Sequence, residues 1–326
     1  MNAAVRTEGL IKEFGTFRAL DELSLEVQPG AVFGFLGPNG AGKTTTIRIL
    51  TGLAHATRGK AWVAGMEVTG NGGDTAKRIG YLPEEPTFYG WLTPTEYLDH
   101  VARVFGLPAT ERSARVKELL GLVGLAEASR RRIGGFSHGM RQRMGLAQAL
   151  VNRPEVLFLD EPVSALDPAG RKEVLELIEQ MQGKCTVFMS THILGDVERV
   201  CDSVGIINRG KMVTIGPRQE LLERYAVPAI EIAVEPVHKE RQASWADGLR
   251  SLSWVKSTVL DEAVLRVVVS DLETAKVQLL ASALQAGLVL ERYEVVRPSL
   301  EDVFLQLVSQ PVQTAPGQTS PEGRPQ

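Results

Sequence analysis

Two early stretches alternate apolar and polar residues, TEGLIKEFG (7–15) and ALDELSLEV (19–27), the period-two pattern of half-buried strands. Pro29-Gly30 marks a turn into AVFGFLG (31–37), a continuous apolar run that reads as a fully buried strand. KTTTIRIL (43–50) then changes to a helical pattern, and IGYL (79–82) is a further short strand ending at Pro83. From about 93 to 152 the chain reads as helical. Thr93-Pro94-Thr95-Glu96 is a capping box with proline at the first helical position, opening a helix to about Phe105. A second helix is expected from about Glu111 to Val123, with Val116, Leu119, Leu120 and Val123 on one face. The Gly-rich stretch IGGFSHG (133–139) precedes a third, from about Met140 to Asn152. Strand character returns in VLFLDEP (156–162), a helix covers 170–182, and CTVFMSTH (185–192) is another buried strand. Strands alternating with helices predict an α/β domain with a mostly parallel sheet and ligands at the strands' carboxyl ends.

The pattern changes near 226–229 (AVPA). Strands at AIEIAV (229–234), AVLRVVV (263–269) and LVLERYEVV (288–296) predict a small separate α+β domain over 226–310. Its first helix is expected to be opened by Ser270 with Glu273 as box partner, and a short helix follows Pro298-Ser299. The first domain is thus expected to span 1–225. The tail 311–326, with prolines at 311, 316, 321 and 325 among Gln, Gly, Ser and Thr, reads as disordered.

Composition narrows the classes. A 44% hydrophobic content over 326 residues suffices for two cores. A net charge of −3 argues against nucleic-acid binding through bulk charge, and Arg130-Arg131-Arg132 reads as a solvated face. Only Cys185 and Cys201 are present, which suits a reducing compartment. MNAAVRTEGL has no apolar core of a signal peptide. The longest charge-free apolar candidate, VQLLASALQAGLVL (277–290), is shorter than the roughly 20 residues a spanning helix needs.

The chemistry concentrates in GPNGAGKTTT (37–46), which has the spacing G-x-x-x-x-G-K-[ST] of a phosphate-binding loop between strand and helix. Glycines let backbone N–H groups converge on an anion, and the helix aims its positive end at the same point. Gly37, Pro38, Asn39, Gly40, Ala41, Gly42, Lys43, Thr44 and Thr45 are the candidate phosphate contacts. Lys43 would reach the β- and γ-phosphates, and the Thr44 hydroxyl would ligate Mg²⁺. The acids Asp160-Glu161 at the end of a buried strand complete such a site. Asp160 would hold the metal and Glu161 would polarise the attacking water.

With these motifs the chain resembles the ATPase subunits of ABC transporters over its first 225 or so residues. FSHGMRQR (136–143) is similar to that family's signature, SALD (164–167) to its D-loop, and STH (190–192) to its switch histidine. The resemblance implies a P-loop NTPase domain with a helical subdomain at about 93–152, binding ATP and Mg²⁺. It implies that Phe14 stacks on adenine, with Phe17 as the alternative platform. It implies that Ser137, Gly139 and Asp167 act on a nucleotide held by a second subunit, and that His192 contacts the γ-phosphate. Two chains, copies or paralogues, would then sandwich two ATPs and drive a separate polytopic membrane permease from the cytoplasmic face of the membrane. No nucleic-acid partner is expected. Glu84, in LPEEP, stands where the family carries a metal-contacting glutamine, and Phe136 and His138 replace the usual Leu and Gly. These departures, with RPSLEDVFLQLV (297–308), resemble the ABC-2 exporter branch. The alternatives are a soluble ABC ATPase of translation or DNA repair, or an importer ATPase. A single phosphate-binding loop and the lack of a heptad coiled coil count against the former.

Overall fold

A computed structural model of the chain describes residues 3–70, 73–164, 166–225, 228–261, 263–296 and 299–309. The chain divides into two compact units between Leu221 and Leu222. In the first, strands β1 (Val5–Phe14), β2 (Phe17–Val27) and β3 (Val32–Leu36) lead into helix α1 (Lys43–Leu50). There follow β4 (Arg58–Val63), β5 (Met66–Glu67), α2 (Gly73–Arg78) and β6 (Ile79–Leu82). The helical stretch holds α3 (Pro94–Val104), α4 (Ala109–Leu122) and α5 (His138–Ala149). The α/β pattern resumes with β7 (Val156–Asp160), α6 (Pro168–Glu179), β8 (Thr186–Thr191), α7 (Leu194–Val200), β9 (Ser203–Asn208) and β10 (Lys211–Pro217), and the division between the units falls within α8 (Arg218–Tyr225).

Two sheets result. The antiparallel one has the order β2-β1-β4-β5, and the other β10-β9-β3-β8-β7-β6. In the larger sheet every neighbouring pair is parallel except β9 with β10. Strands β3, β7 and β8 are buried along their whole length, as their central apolar runs require, with Asp160 and Ser190-Thr191 as buried polar residues at the carboxyl ends of β7 and β8. Phe188 packs between Phe33, Phe35 and Phe158 at ring-centroid distances of 5.1, 5.3 and 5.6 Å. The same core takes in Leu20 and Leu23 of β2 and Ile47 and Leu50 of α1. The helix that follows the glycine loop is therefore anchored by its apolar face, with each such side chain contributing about 1.5–3 kcal/mol.

The capping box on α3 is formed: the Glu96 N–H donates to Thr93 Oγ1 at 3.3 Å, and the Thr93 N–H to Glu96 Oε2 at 2.9 Å. Tyr97 ties α3 to α5 through a 3.0 Å hydrogen bond to Gln148. Helix α5 begins two residues earlier than its pattern suggests, because Ser137 caps it.

The second unit carries β11 (Ala229–Val234), α9 (Lys239–Leu249), β12 (Val255–Asp261), β13 (Val264–Val269), α10 (Leu272–Gln285), β14 (Leu290–Val296) and α11 (Leu300–Ser309). Its antiparallel sheet has the order β12-β13-β11-β14. Alternating Ile230, Ile232 and Val234 on β11 and Leu265, Val267 and Val269 on β13 share a core with Trp245 and Leu279 of the helices. The residue that opens α10 is not Ser270 but Asp271. Its Oδ1 accepts from the Glu273 and Thr274 N–H groups at 3.1 and 3.2 Å, while the Ser270 hydroxyl donates to the Trp254 carbonyl at 3.2 Å. A carboxylate one residue nearer the helix outcompetes a hydroxyl for the free amides. The tail expected at 311–326 lies outside the described residues.

Candidate nucleotide site

The pairing register sets the site. Leu36 of β3 lies beside Thr191 of β8, and Ser190 of β8 beside Asp160 of β7. The carboxyl ends of the three strands therefore carry Gly37, Asp160-Glu161 and His192 to one edge of the sheet.

Gly37 and Gly42 hold the loop close to its neighbours. A Cβ on Gly37 would lie 2.4 Å from the Ile207 carbonyl oxygen. Gly42 has φ +111°, and a Cβ there would lie 2.7 Å from Leu20 Cδ2 and 2.8 Å from the Ala19 carbonyl oxygen. The Ala41 N–H donates to the Pro38 carbonyl at 3.1 Å, and the Thr46 N–H to the Gly42 carbonyl at 2.9 Å. Helix geometry leaves the N–H groups of Lys43, Thr44 and Thr45 without carbonyls inside α1. Three free amides and a helix N-terminus converge where the loop turns, an arrangement suited to an anion.

The Lys43 ammonium donates to the Gly37 carbonyl at 2.7 Å and lies 3.4 Å from Glu161 Oε1. The other Glu161 oxygen is 3.0 Å from His192 Nδ1. Lys43 and Glu161 side chains are 6% and 8% exposed, whereas His192 is 46% exposed, so the histidine ring lies at the solvent side of the cluster. Thr44 Oγ1 donates to Asp160 Oδ1 at 3.2 Å. One edge thus holds a cation beside a buried carboxylate, and a hydroxyl beside a second carboxylate. Among the described residues, no cluster of three or more His, Cys, Asp or Glu could hold a metal by itself. The Thr44–Asp160 pair offers hard oxygens only, which fits a small cation such as Mg²⁺ that takes its other ligands from water and phosphate.

The remaining expected residues lie apart from this cluster or at its margin. Ser137 caps α5, accepting from the Met140 N–H at 3.3 Å, and Asp167 caps α6, accepting from the Gly170 N–H at 3.1 Å. These bonds serve the residues' own helix starts and do not reach the loop. Gly139 is in ordinary contact distance of Leu166, at 3.7 Å from a built Cβ. Glu84 is exposed, just beyond the end of β6. Burial first, then the charge of Asp160, push the Tyr81 phenol up, with a smaller contribution from Glu84. Phe14 and Phe17 face each other across the β1–β2 turn, 55% and 61% exposed, and Lys12 Nζ sits 4.8 Å from the Phe14 ring centroid. Both rings therefore remain eligible as a stacking platform.

Sequence reasoning missed Ser190. Fully buried, it donates from Oγ to Asp160 Oδ1 at 2.6 Å. The signal lay in its place on β8, two residues before His192, but only the strand register puts it opposite Asp160.

A glycine loop joining a buried strand to a helix, with an acidic pair on a strand of the same sheet, defines a P-loop nucleotide-binding protein. The family is narrower still. Residues 20–164 match the family model described as "ABC transporter", and residues 216–308 match "ATP-binding protein DrrA1-3-like, C-terminal domain". An uncharacterised ABC transporter ATP-binding protein of Bacillus subtilis is 38% identical over 92% of this chain and 98% of its own length. A daunorubicin resistance ATP-binding protein of Streptomyces coeruleorubidus is 33% identical over 94% of this chain and 96% of its own. A solved ATP-binding subunit of an ABC transporter superposes with a TM-score of 0.62 at 29% identity, covering 68% of this chain and 93% of that one. The chain belongs to the ATP-binding subunits of ABC transporters. The Bacillus subtilis relative and the solved structure are named for ABC transporters, in keeping with the transporter reading and not with the translation or repair alternative. No helix among the described residues is long and apolar enough to cross a membrane.

Proposed function

We propose that the chain binds MgATP, closes on a second ATPase subunit (its own copy or a paralogue) and hydrolyses ATP to drive a separate polytopic permease of the ABC-2 exporter type. It would work at the cytoplasmic face of the membrane. The carrying observation is the convergence of Lys43, Thr44, Asp160, Glu161 and His192 at one sheet edge. In this reading the loop amides and Lys43 hold the phosphates. Thr44, Asp160 and Glu84 would hold Mg²⁺, which would supply charge neutralisation at the phosphate oxygens. Glu161 takes the proton of the attacking water, and His192 lies against the γ-phosphate. Phe14 stacks on adenine. Ser137 and Gly139, at the exposed start of α5, and Asp167, at that of α6, meet the nucleotide of the second subunit. The exporter assignment is supported by the match of residues 216–308 and by relatives named for drug resistance.

Glu161→Gln tests the mechanism. The amide keeps the shape and removes the base, so turnover falls by about 10²–10⁴-fold while ATP still binds, and a dimer accumulates with ATP in size-exclusion chromatography. A variant that hydrolyses at the parent rate and stays monomeric refutes the proposal.

A further inference from the structure

Ser190 contacts both acids of the site. Its hydroxyl proton is donated to Asp160 Oδ1 at 2.6 Å, a shorter bond than the 3.2 Å one from Thr44. Its oxygen lone pair accepts from the Glu161 N–H at 3.3 Å, and its backbone carbonyl accepts from the same N–H at 3.1 Å. Glu161 takes φ +48°, a left-handed conformation that non-glycine residues adopt at a cost of about 1–2 kcal/mol. That turn directs its carboxylate back to Lys43 and His192. Ser190 is fully buried at the carboxyl end of β8, where the apolar run Val187–Met189 gives way to hydroxyls, and a buried hydroxyl is stable there only with partners such as Asp160 and the Glu161 N–H.

We propose that Ser190 is a positioning residue for the metal and the attacking water. It fixes the rotamer of Asp160 and holds the left-handed turn at Glu161, so the two acids are set relative to each other by one side chain. The proposal rests on the nucleotide-site reading above. It does not make Ser190 a ligand: the residue is fully buried behind Asp160 and acts through it. Partners that orient a metal-holding carboxylate typically alter metal affinity or activity by about 10–100-fold when removed.

The test reads metal binding without turnover. Mn²⁺ is titrated by electron paramagnetic resonance into the full chain saturated with a non-hydrolysable ATP analogue. A fluorescent ATP analogue in excess EDTA measures nucleotide affinity without metal. Ser190→Ala is expected to weaken Mn²⁺ binding by about 10–100-fold, leave metal-free nucleotide affinity within about twofold, and lose most of that effect in an Asp160→Asn background. Ser190→Thr, which restores the hydroxyl, is expected to recover Mn²⁺ binding. Ser190→Cys, close in volume and a weak donor, reads the same loss should the alanine variant not fold. Unchanged Mn²⁺ affinity in the alanine variant, or in the cysteine variant if that one is read, overturns the proposal. So does a parallel fall of both affinities with the unfolding midpoint, the mark of a purely structural role. A parent protein that holds no nucleotide in EDTA or with metal overturns the nucleotide reading itself, a result distinct from either.

Discussion

Lys43 and Glu161 face each other at 3.4 Å with less than a tenth of either side chain exposed. At an effective dielectric of about 20, two unit charges at that distance attract by about 5 kcal/mol. Much of this is offset by the cost of removing both from water, so the pair's net worth is small, but losing one partner is not. Lys43→Met leaves a buried carboxylate whose remaining partner is the half-exposed His192, and is expected to destabilise the nucleotide-free first unit by about 3–5 kcal/mol. Glu161→Gln leaves the ammonium on the Gly37 and Pro38 carbonyls, at 2.7 and 3.4 Å, and is expected to cost about 1–3 kcal/mol. The bonds from Lys43 to those carbonyls are lost in both arms that lack lysine, so they cancel in a double-mutant cycle. The coupling left is the pair itself, expected at about 2–4 kcal/mol, with the double variant more stable than the sum of the single losses predicts. Hydrogen exchange of peptides covering β3 and β7 reads this, because those strands lie in the core of the first unit. Losses that add to within about 0.5 kcal/mol refute the pairing.

Three further outcomes follow from the same geometry. Gly37→Ala forces a Cβ to within 2.4 Å of the Ile207 carbonyl and must displace either the loop or β9, so nucleotide binding and the thermal midpoint are both expected to fall, as read by calorimetry with and without ATP. A variant that binds and melts like the parent shows that the loop is not held as described. Glu84→Gln is expected to shift the Mg²⁺ concentration for half-maximal ATPase rate, and an unshifted curve removes Glu84 from the metal's surroundings. Burial pushes the Cys185 thiol up to about 11 and raises Cys201 as well. The reactive thiolate therefore forms only as pH rises far above neutral, and native protein at pH 8 is expected to resist iodoacetamide that labels both cysteines once urea unfolds it. Rapid labelling of the native chain contradicts the burial.

Several features were legible in the residues alone because their causes are local. The run Val32–Leu36, the glycines after it and the Lys-Thr pair state a strand, an anion-binding turn and a helix start within a few residues. The same holds for Val156–Asp160 with its terminal acids, for the Thr93–Glu96 box, and for the alternation on β11 and β13. Other elements left no such mark. β12 buries only Thr258 and so shows no period, and β10 is half-buried at best. β5 is two residues long, and these segments become strands through ladder bonds to partners distant in sequence. Asp271 prevailed over Ser270 because a cap is decided by which oxygen reaches the free amides, a matter of geometry once the helix exists.

The residue types of the site and their order were thus determined by the sequence. Their assembly was decided by the parallel register of β3, β8 and β7, which sets Ser190 beside Asp160. That register, together with the positive φ of Glu161, brings Lys43, Glu161 and His192 into contact across more than a hundred residues. Sequence encodes which groups stand at the ends of strands. Only the folded sheet, by fixing which strands are neighbours, decides which of those groups touch.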